Sequence, residues 1–280
     1  MTVVRLTGAP NLAPLLARGA LLSPLKRVKE GAAVPPTRLV LPNAAIDARR
    51  LDSYRRVCGL TAARGVLPVT YPHILGFPLA MRLMAATDFP LPLLGLVHTS
   101  IEIDQDRSID LGEHPELTVY AAELSPHRRG TEATMVTEAR LGGQLVWASR
   151  SRYLARHATT HRAPDEGPPP APEPLPVRDE WTLPGDLGRR YGAASGDRNP
   201  IHLHPLTAKA FGFPRAIAHG MWTVARCLAE HPADGPLRVR ADFKAPVLLP
   251  GRVTYATDGP RFELRDARHP ERLHLTGEVR

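Results

Sequence analysis

The sequence predicts an α+β protein made of two tandem repeats, each an apolar helix against antiparallel strands. Three observations carry this. First, Tyr54-Arg55-Arg56-Val57-Cys58-Gly59-Leu60 matches Tyr191-Gly192-Ala193-Ala194-Ser195-Gly196-Asp197 in spacing, with Tyr on Tyr and Gly on Gly, the mark of an internal repeat. Second, an apolar stripe at helical spacing follows each copy: Phe77, Met81 and Met84 in the first, Ile217, Met221, Val224 and Leu228 in the second. Third, seven prolines fall between Pro164 and Pro176 among Asp, Glu, Gly and Ala, which makes that stretch an extended, semi-rigid linker. The chain thus divides into a first repeat over 1–158, a linker over 159–180 and a second repeat over 181–280.

Taken in order, residues 1–45 are Leu-, Ala- and Pro-rich and give no firm assignment beyond a short strand at Arg38-Leu39-Val40-Leu41. In the first copy Leu60 stands where Asp197 stands in the second. Tyr71-Pro72-His73 falls where Ile217-Ala218-His219 falls, 13 positions from Leu60 to His73 against 22 from Asp197 to His219. The first copy therefore lacks an Asn-Pro-Ile-His segment. Gly76 and Pro78 suit the first turn of the helix that carries Phe77, Met81 and Met84. Residues 94–103 and 117–123 are β-rich, and Thr131–Arg140 with Gln144–Tyr153 reads as a hairpin on a Gly142-Gly143 turn. In the second repeat Leu187, Tyr191 and Ala194 mark one face of a short helix, and Gly196 suits the left-handed position that ends it. Strands follow around 237–244, 253–257, 262–266 and 273–279.

The chemistry concentrates between Tyr191 and Met221. Pro200 fixes its own φ and pushes Asn199 out of the right-handed helical region, so the segment after Gly196 is predicted as a stiff, non-helical turn. Such a turn holds Asp197 and His202 side by side, as an acid/base pair requires if both are to reach one water or substrate atom. Gly220 opens the last apolar helix, and first-turn N–H groups lack intrahelical partners and favour an anion, a natural oxyanion hole. His202, His204 and His219 raise the question of a metal, but structural metal sites show tighter ligand sets, often with Cys. No metal is expected. His204 reads as a solvent-side residue, His219 as a residue that fixes the Gly220 turn, and His73, with no acidic partner, as structural. Cys58 and Cys227 give neither a disulfide framework nor metal spacing and read as small buried hydrophobes.

The pattern Tyr-x-x-x-Ser-Gly-Asp-x-Asn-Pro-Ile-His, followed by Gly-Phe-x-x-x-Ile-x-His-Gly-Met, resembles the hydratase-2 motif of MaoC-like dehydratases, the (R)-specific enoyl-CoA hydratases or 3-hydroxyacyl-thioester dehydratases. The resemblance is specific from Leu187 to Leu228, with a weaker echo at Phe243–Gly251. It implies the hot-dog fold, a curved antiparallel sheet around a long helix, here doubled, with a degenerate first half that shapes the acyl pocket. It also implies that Asp197 and His202 are the catalytic pair and that the Gly220 N–H faces the thioester carbonyl. Asn199, Ser195 and His219 are the orienting residues. Phe77, Met81, Met84 and Met221 are the acyl-pocket candidates. A Ser that some members carry on the long helix has no counterpart near Leu228. The expected activity is reversible hydration of trans-2-enoyl thioesters in fatty acid metabolism, with no cofactor beyond the coenzyme A or acyl carrier protein that carries the substrate. Two other readings stand beside it: a non-catalytic acyl-thioester-binding subunit, and a thioesterase on the same fold, whose base would have to be aimed at C1.

Composition narrows the partners. The net charge of +8 is mostly Arg spread along the chain, and no basic helix interleaves with aromatics, so nucleic acid is not expected. A basic surface suits a phosphate-bearing coenzyme or an acidic carrier protein. No apolar run approaches a membrane span, and the N-terminus lacks a signal-peptide pattern, so the cytoplasm is expected. The oligomeric expectation is a monomer or homodimer.

Overall fold

A computed structural model describes residues 2–23, 26, 28, 32–61, 65–159, 173–231 and 235–280. The first repeat contains β1 (Thr2–Arg5), α1 (Leu12–Leu22), β2 (Thr37–Leu41), α2 (Ala48–Cys58), α3 (Tyr71–Met84), β3 (Val97–Gln105), β4 (Glu116–His127), β5 (Gly130–Leu141) and β6 (Gln144–Arg156). The second contains β7 (Val177–Leu183), α4 (Leu187–Ser195), α5 (Pro200–Leu203), α6 (Pro205–Ala210), α7 (Gly220–Leu228), β8 (Leu237–Phe243), β9 (Gly251–Thr257), β10 (Arg261–Asp266) and β11 (Leu273–Val279).

All eleven strands join one sheet in the order β1-β2-β4-β5-β6-β3-β8-β11-β10-β9-β7. Read outward from the β3·β8 pair, the two repeats run in the same order, so the internal repeat seen in the sequence is a repeat of topology. Strand β1 is an addition, parallel to β2 at the outer edge. At the join, Ile101, Ile103 and Gln105 pair with Ala241, Val239 and Leu237, all buried, while Glu102 and Asp104 pair with Arg240 and Arg238. The alternation of strand side chains sets this division: one face of the join is core and the other is charged.

The helices confirm the alignment of the two copies. Both α2 and α4 end on a left-handed glycine, Gly59 at φ 68° and Gly196 at φ 83°. The matched tyrosines Tyr54 and Tyr191 are both buried, with ring centroids 5.9 Å apart where α2 packs on α4. Trp222 Nε1–H donates to the Val57 carbonyl at 2.8 Å, a further tie between the halves.

Several expectations change. Helix α3 starts at Tyr71 with Pro72 in its first turn, so Gly76 and Pro78 lie in its interior. Of two prolines that each suit a helix start, the earlier one serves. Gly76 is needed for close approach, since a Cβ there would lie 2.6 Å from Thr137 Cγ2. In the second repeat Ile217 is not helical but forms a bridge with Leu248 ahead of α7, which is nine residues long rather than a long helix. The end of the expected linker, from Val177, is already β7; residues 160–172, which hold most of its prolines, lie outside the described residues. The Gly142-Gly143 hairpin turn is as read, with φ of 58° and 83°.

Candidate active site

The segment from Ser195 to His202 is built as a chain of short caps. Ser195 Oγ, in a fully buried residue, accepts the Asp197 N–H at 3.2 Å. Asp197 Oδ1 accepts the Asn199 N–H at 3.1 Å, and Asn199 Oδ1 accepts the Ile201 N–H at 3.4 Å. Asn199 is thereby the N-cap of α5, with Pro200 in its first turn. The segment is a non-helical turn only as far as Asn199; His202 stands on a helical turn. The fixed φ of Pro200, read as a helix breaker, starts a helix here.

His202 is buried, and its Nδ1–H donates to the Ile217 carbonyl at 2.8 Å. That bond places the ring proton on Nδ1 and leaves the Nε2 lone pair available. His219, the N-cap of α7, stacks on His202 with ring centroids 3.7 Å apart, and its Nε2–H donates to the Asp197 carbonyl at 2.9 Å. It therefore pins the start of α7 to the turn that carries Asp197. His204 is exposed, and its Nδ1 accepts the Leu206 N–H as the cap of α6.

The electrostatics follow from burial. Burial pushes the Asp197 carboxyl above its ordinary value, with the neighbouring His202 and the Asn199 N–H opposing it. Burial lowers His202, opposed by Asp197 and the Ile217 carbonyl. His219 lies well below its ordinary value through burial and the adjacent His202. Both imidazoles are thus neutral at pH 7 beside the Asp197 carboxyl. Asp197, His202 and His219 each offer an atom within 4.8 Å of the others, a spacing that a cation also fits. One nitrogen of each ring is already committed to a backbone carbonyl.

Residues that the sequence reading did not single out hold this arrangement in place. Gly188 and Gly192 lie one helical turn apart on α4, against the catalytic segment. A Cβ on Gly188 would overlap the His202 carbonyl oxygen and lie 2.9 Å from its carbon; one on Gly192 would lie 2.8 Å from the Asp197 carbonyl oxygen. From the first repeat, Arg50 on α2 donates Nε–H to the Ala194 carbonyl at 2.8 Å and Nη2–H to the Ser195 carbonyl, gripping the end of α4 just before Asp197. Gly spacing on α4 was visible in the sequence; the reach of Arg50 over more than 140 positions was not.

Asp197, His202, His219 and Gly220 open onto one cavity of about 800 Å³. Gly220 heads α7, and a Cβ on it would lie 2.9 Å from the Phe243 ring. All four acyl-pocket candidates, Phe77, Met81, Met84 and Met221, line the same cavity, as do His73, His98 and Tyr153 of the first repeat. Both halves therefore form its wall, and its size is that of a small-molecule site.

This fold and this site define a class. The chain is a double hot-dog protein and belongs to the MaoC-like dehydratase family; the MaoC like domain profile matches residues 166–258. Among its relatives is 3-hydroxyacyl-thioester dehydratase X of Mycobacterium tuberculosis, 37% identical over 232 residues, which are 81% of this chain and 82% of that protein. The crystal structure of HtdX from the same organism matches with a TM-score of 0.75 at 33% identity, over 87% of this chain and 99% of that one. A MaoC-like dehydratase from Phytophthora capsici shares the fold, with a TM-score of 0.69 at 18% identity over 90% of this chain and 97% of that one.

Proposed function

We propose that the protein reversibly adds water to trans-2-enoyl thioesters to give (R)-3-hydroxyacyl thioesters. The observation that carries this reading is the meeting, in one cavity, of the Asp197 carboxylate, a neutral His202 with Nε2 unprotonated, and the N-terminus of α7 at Gly220. Asp197 and His202 hold one water and take a proton from it as its oxygen attacks C3. Negative charge moves onto the thioester oxygen, where the Gly220 N–H stabilises it. The pair then returns a proton to C2, so that H and OH have added across the double bond. Because the two groups are coupled, they titrate as a pair, and the two proton transfers belong to the pair. Ser195, Asn199 and His219 orient it. Holding water and acyl chain together supplies much of the rate. No metal is assigned to Asp197, His202 and His219, since a neutral His202 suffices as water's partner.

Exposed Arg128, Arg129, Arg152, Arg198 and Lys244 line the cavity rim. Positive charge there suits a substrate carried on coenzyme A or on a phosphopantetheine arm of a carrier protein. No helix of the described residues is long and apolar enough to cross a membrane. We place the protein in the cytoplasm, as a monomer or homodimer.

The test is loss of enone absorbance with crotonyl- to dodecenoyl-CoA. Asp197→Asn is expected to lower kcat by on the order of 10²–10⁴-fold, the usual effect of losing a positioned acid or base. Near-normal turnover in that variant would remove the assignment. Release of free thiol would indicate hydrolysis instead, and saturable binding with neither signal a binding subunit.

A further inference from the structure

An apolar tunnel would suffice for a plain alkyl chain, yet the first repeat puts a polar column into this one. The rings of His73 and His98 stack with centroids 6.1 Å apart, and His98 stacks on Tyr153 at 4.5 Å. His98 also lies 4.8 Å from the ring of Phe243, which borders Gly220. The column therefore begins near the start of α7 at Gly220. On α3, His73, Phe77 and Met81 fall at i, i+4 and i+8 and line the same cavity, the first polar and the other two apolar.

Among the described residues, the buried Nδ1 of His73 and the buried Nε2 of His98 have no hydrogen-bond partner. Buried polar atoms are nearly always paired, so two orphans on residues that line one cavity call for a partner that a small shift of these rings would admit. His73 is 6% exposed, and burial holds its pKa at about 4 and that of His98 at about 3. Both rings are thus neutral, each with one donor and one acceptor nitrogen. A carboxylate, which only accepts, matches half of such a pair and brings an unmatched charge. A hydroxyl, both donor and acceptor, matches it. Tyr153 adds a phenol on the same wall, its ionisation opposed first by burial and then by Asp197.

We propose that His73, His98 and Tyr153 recognise a hydroxyl group on the acyl chain beyond the reacting double bond, so that the enzyme's substrates are hydroxylated trans-2-enoyl thioesters. This rests on the dehydratase reading. It assigns the degenerate half a specificity role.

The test compares trans-2-octenoyl-CoA with its derivatives hydroxylated at C6, C7 or C8. Carrier and chain length are constant, so a contact to the carrier arm affects all four alike. Wild-type protein is expected to favour at least one hydroxylated chain by about tenfold or more in kcat/KM, as sites built around a substrate hydroxyl do. His98→Phe keeps the ring stacking and deletes the nitrogens; it is expected to bring that ratio close to unity. Calorimetric titration with saturated octanoyl-CoA and its hydroxylated counterparts reads the same preference without turnover. If nothing is hydrated but the binding preference is present, the dehydratase reading falls and the recognition stands. Equal kcat/KM and equal binding across the series, as expected if ordered water alone fills the wall, overturn the proposal. So does a His98→Phe variant with the wild-type ratio.

Discussion

Gly188→Ala isolates the scaffold of the catalytic pair from its chemistry. The added methyl would overlap the His202 carbonyl oxygen and sit 2.9 Å from its carbon and 3.5 Å from its Cα. The clash is with backbone, so no side-chain rotation relieves it; α5 must move away from α4 by about 1 Å, and such a misplacement costs on the order of 10²-fold in rate. Overpacking costs about 1–3 kcal/mol, so the melting temperature falls by several degrees. The expected result is a folded protein with kcat reduced about 100-fold in the enone assay. Gly192→Ala, with its nearest contact at 2.8 Å to the Asp197 carbonyl oxygen, should cost less. Gly112→Ala, where a Cβ meets nothing within 4 Å, should cost nothing. Wild-type kcat in Gly188→Ala would refute the claim that backbone contact between α4 and α5 sets the position of His202.

Three further outcomes are expected. With His202 lowered and Asp197 raised by burial, kcat/KM should hold through neutral pH and fall only on the acid side as the pair takes up protons; a fall above pH 7 would implicate another group. Stability should follow the same sign: His73 and His98 titrate near 6.5 when unfolded but at about 4 and about 3 when folded, so their contribution is full above pH 6.5 and is lost as pH falls through those values. Urea melts at pH 7 and pH 5 measure it, each such histidine accounting for about 1.4 kcal/mol per pH unit between its unfolded and folded pKa, and a midpoint independent of pH would contradict their burial as neutral rings. Met81→Trp should shift preference toward shorter chains, read from kcat/KM across a crotonyl to dodecenoyl series, because Met81 lines the cavity and a larger ring there would shorten it; an unchanged profile would place the chain elsewhere. Dialysis against a chelator should leave turnover unchanged, and a loss restored by a divalent ion would make Asp197, His202 and His219 a metal centre.

The parts of the molecule legible in its sequence are those governed by local rules. A glycine forced into left-handed φ ends α2 and α4, so both were readable together with the tyrosines that align them. The β5–β6 hairpin was readable from its Gly-Gly turn, and the apolar candidates met in one cavity because period-3.6 stripes face inward. What escaped reading depends on tertiary context. A proline is equally a stop and a start, so the sequence points to a later start for α3 and to a turn in place of α5. The small face of Gly188 and Gly192 signals close approach but not what approaches. Arg50, His98 and Tyr153 carry no motif; they acquire a place at the site only when the first sheet folds beside the second. Strand β1 and helix α1 lie in a stretch whose Leu, Ala and Pro composition has no clear period.

The β3·β8 pair has a consequence for how the first repeat can drift. Having no acid/base pair of its own, that repeat is free of chemical constraint, yet it is not free to slide. A one-residue slip along the pair would turn Ile101 and Ile103 to solvent and bring Glu102 and Asp104 against the core, because strand faces alternate with every residue. The slip would also shift His98, at the head of the same strand, away from Phe243 and out of step with Gly220. Register therefore acts as a ruler shared by the two repeats: the first stays aligned, residue by residue, to the half that carries Asp197 and His202. Single side chains can change there on a fixed grid, while the distance from Asp197 and His202 to each point on the cavity wall stays the same.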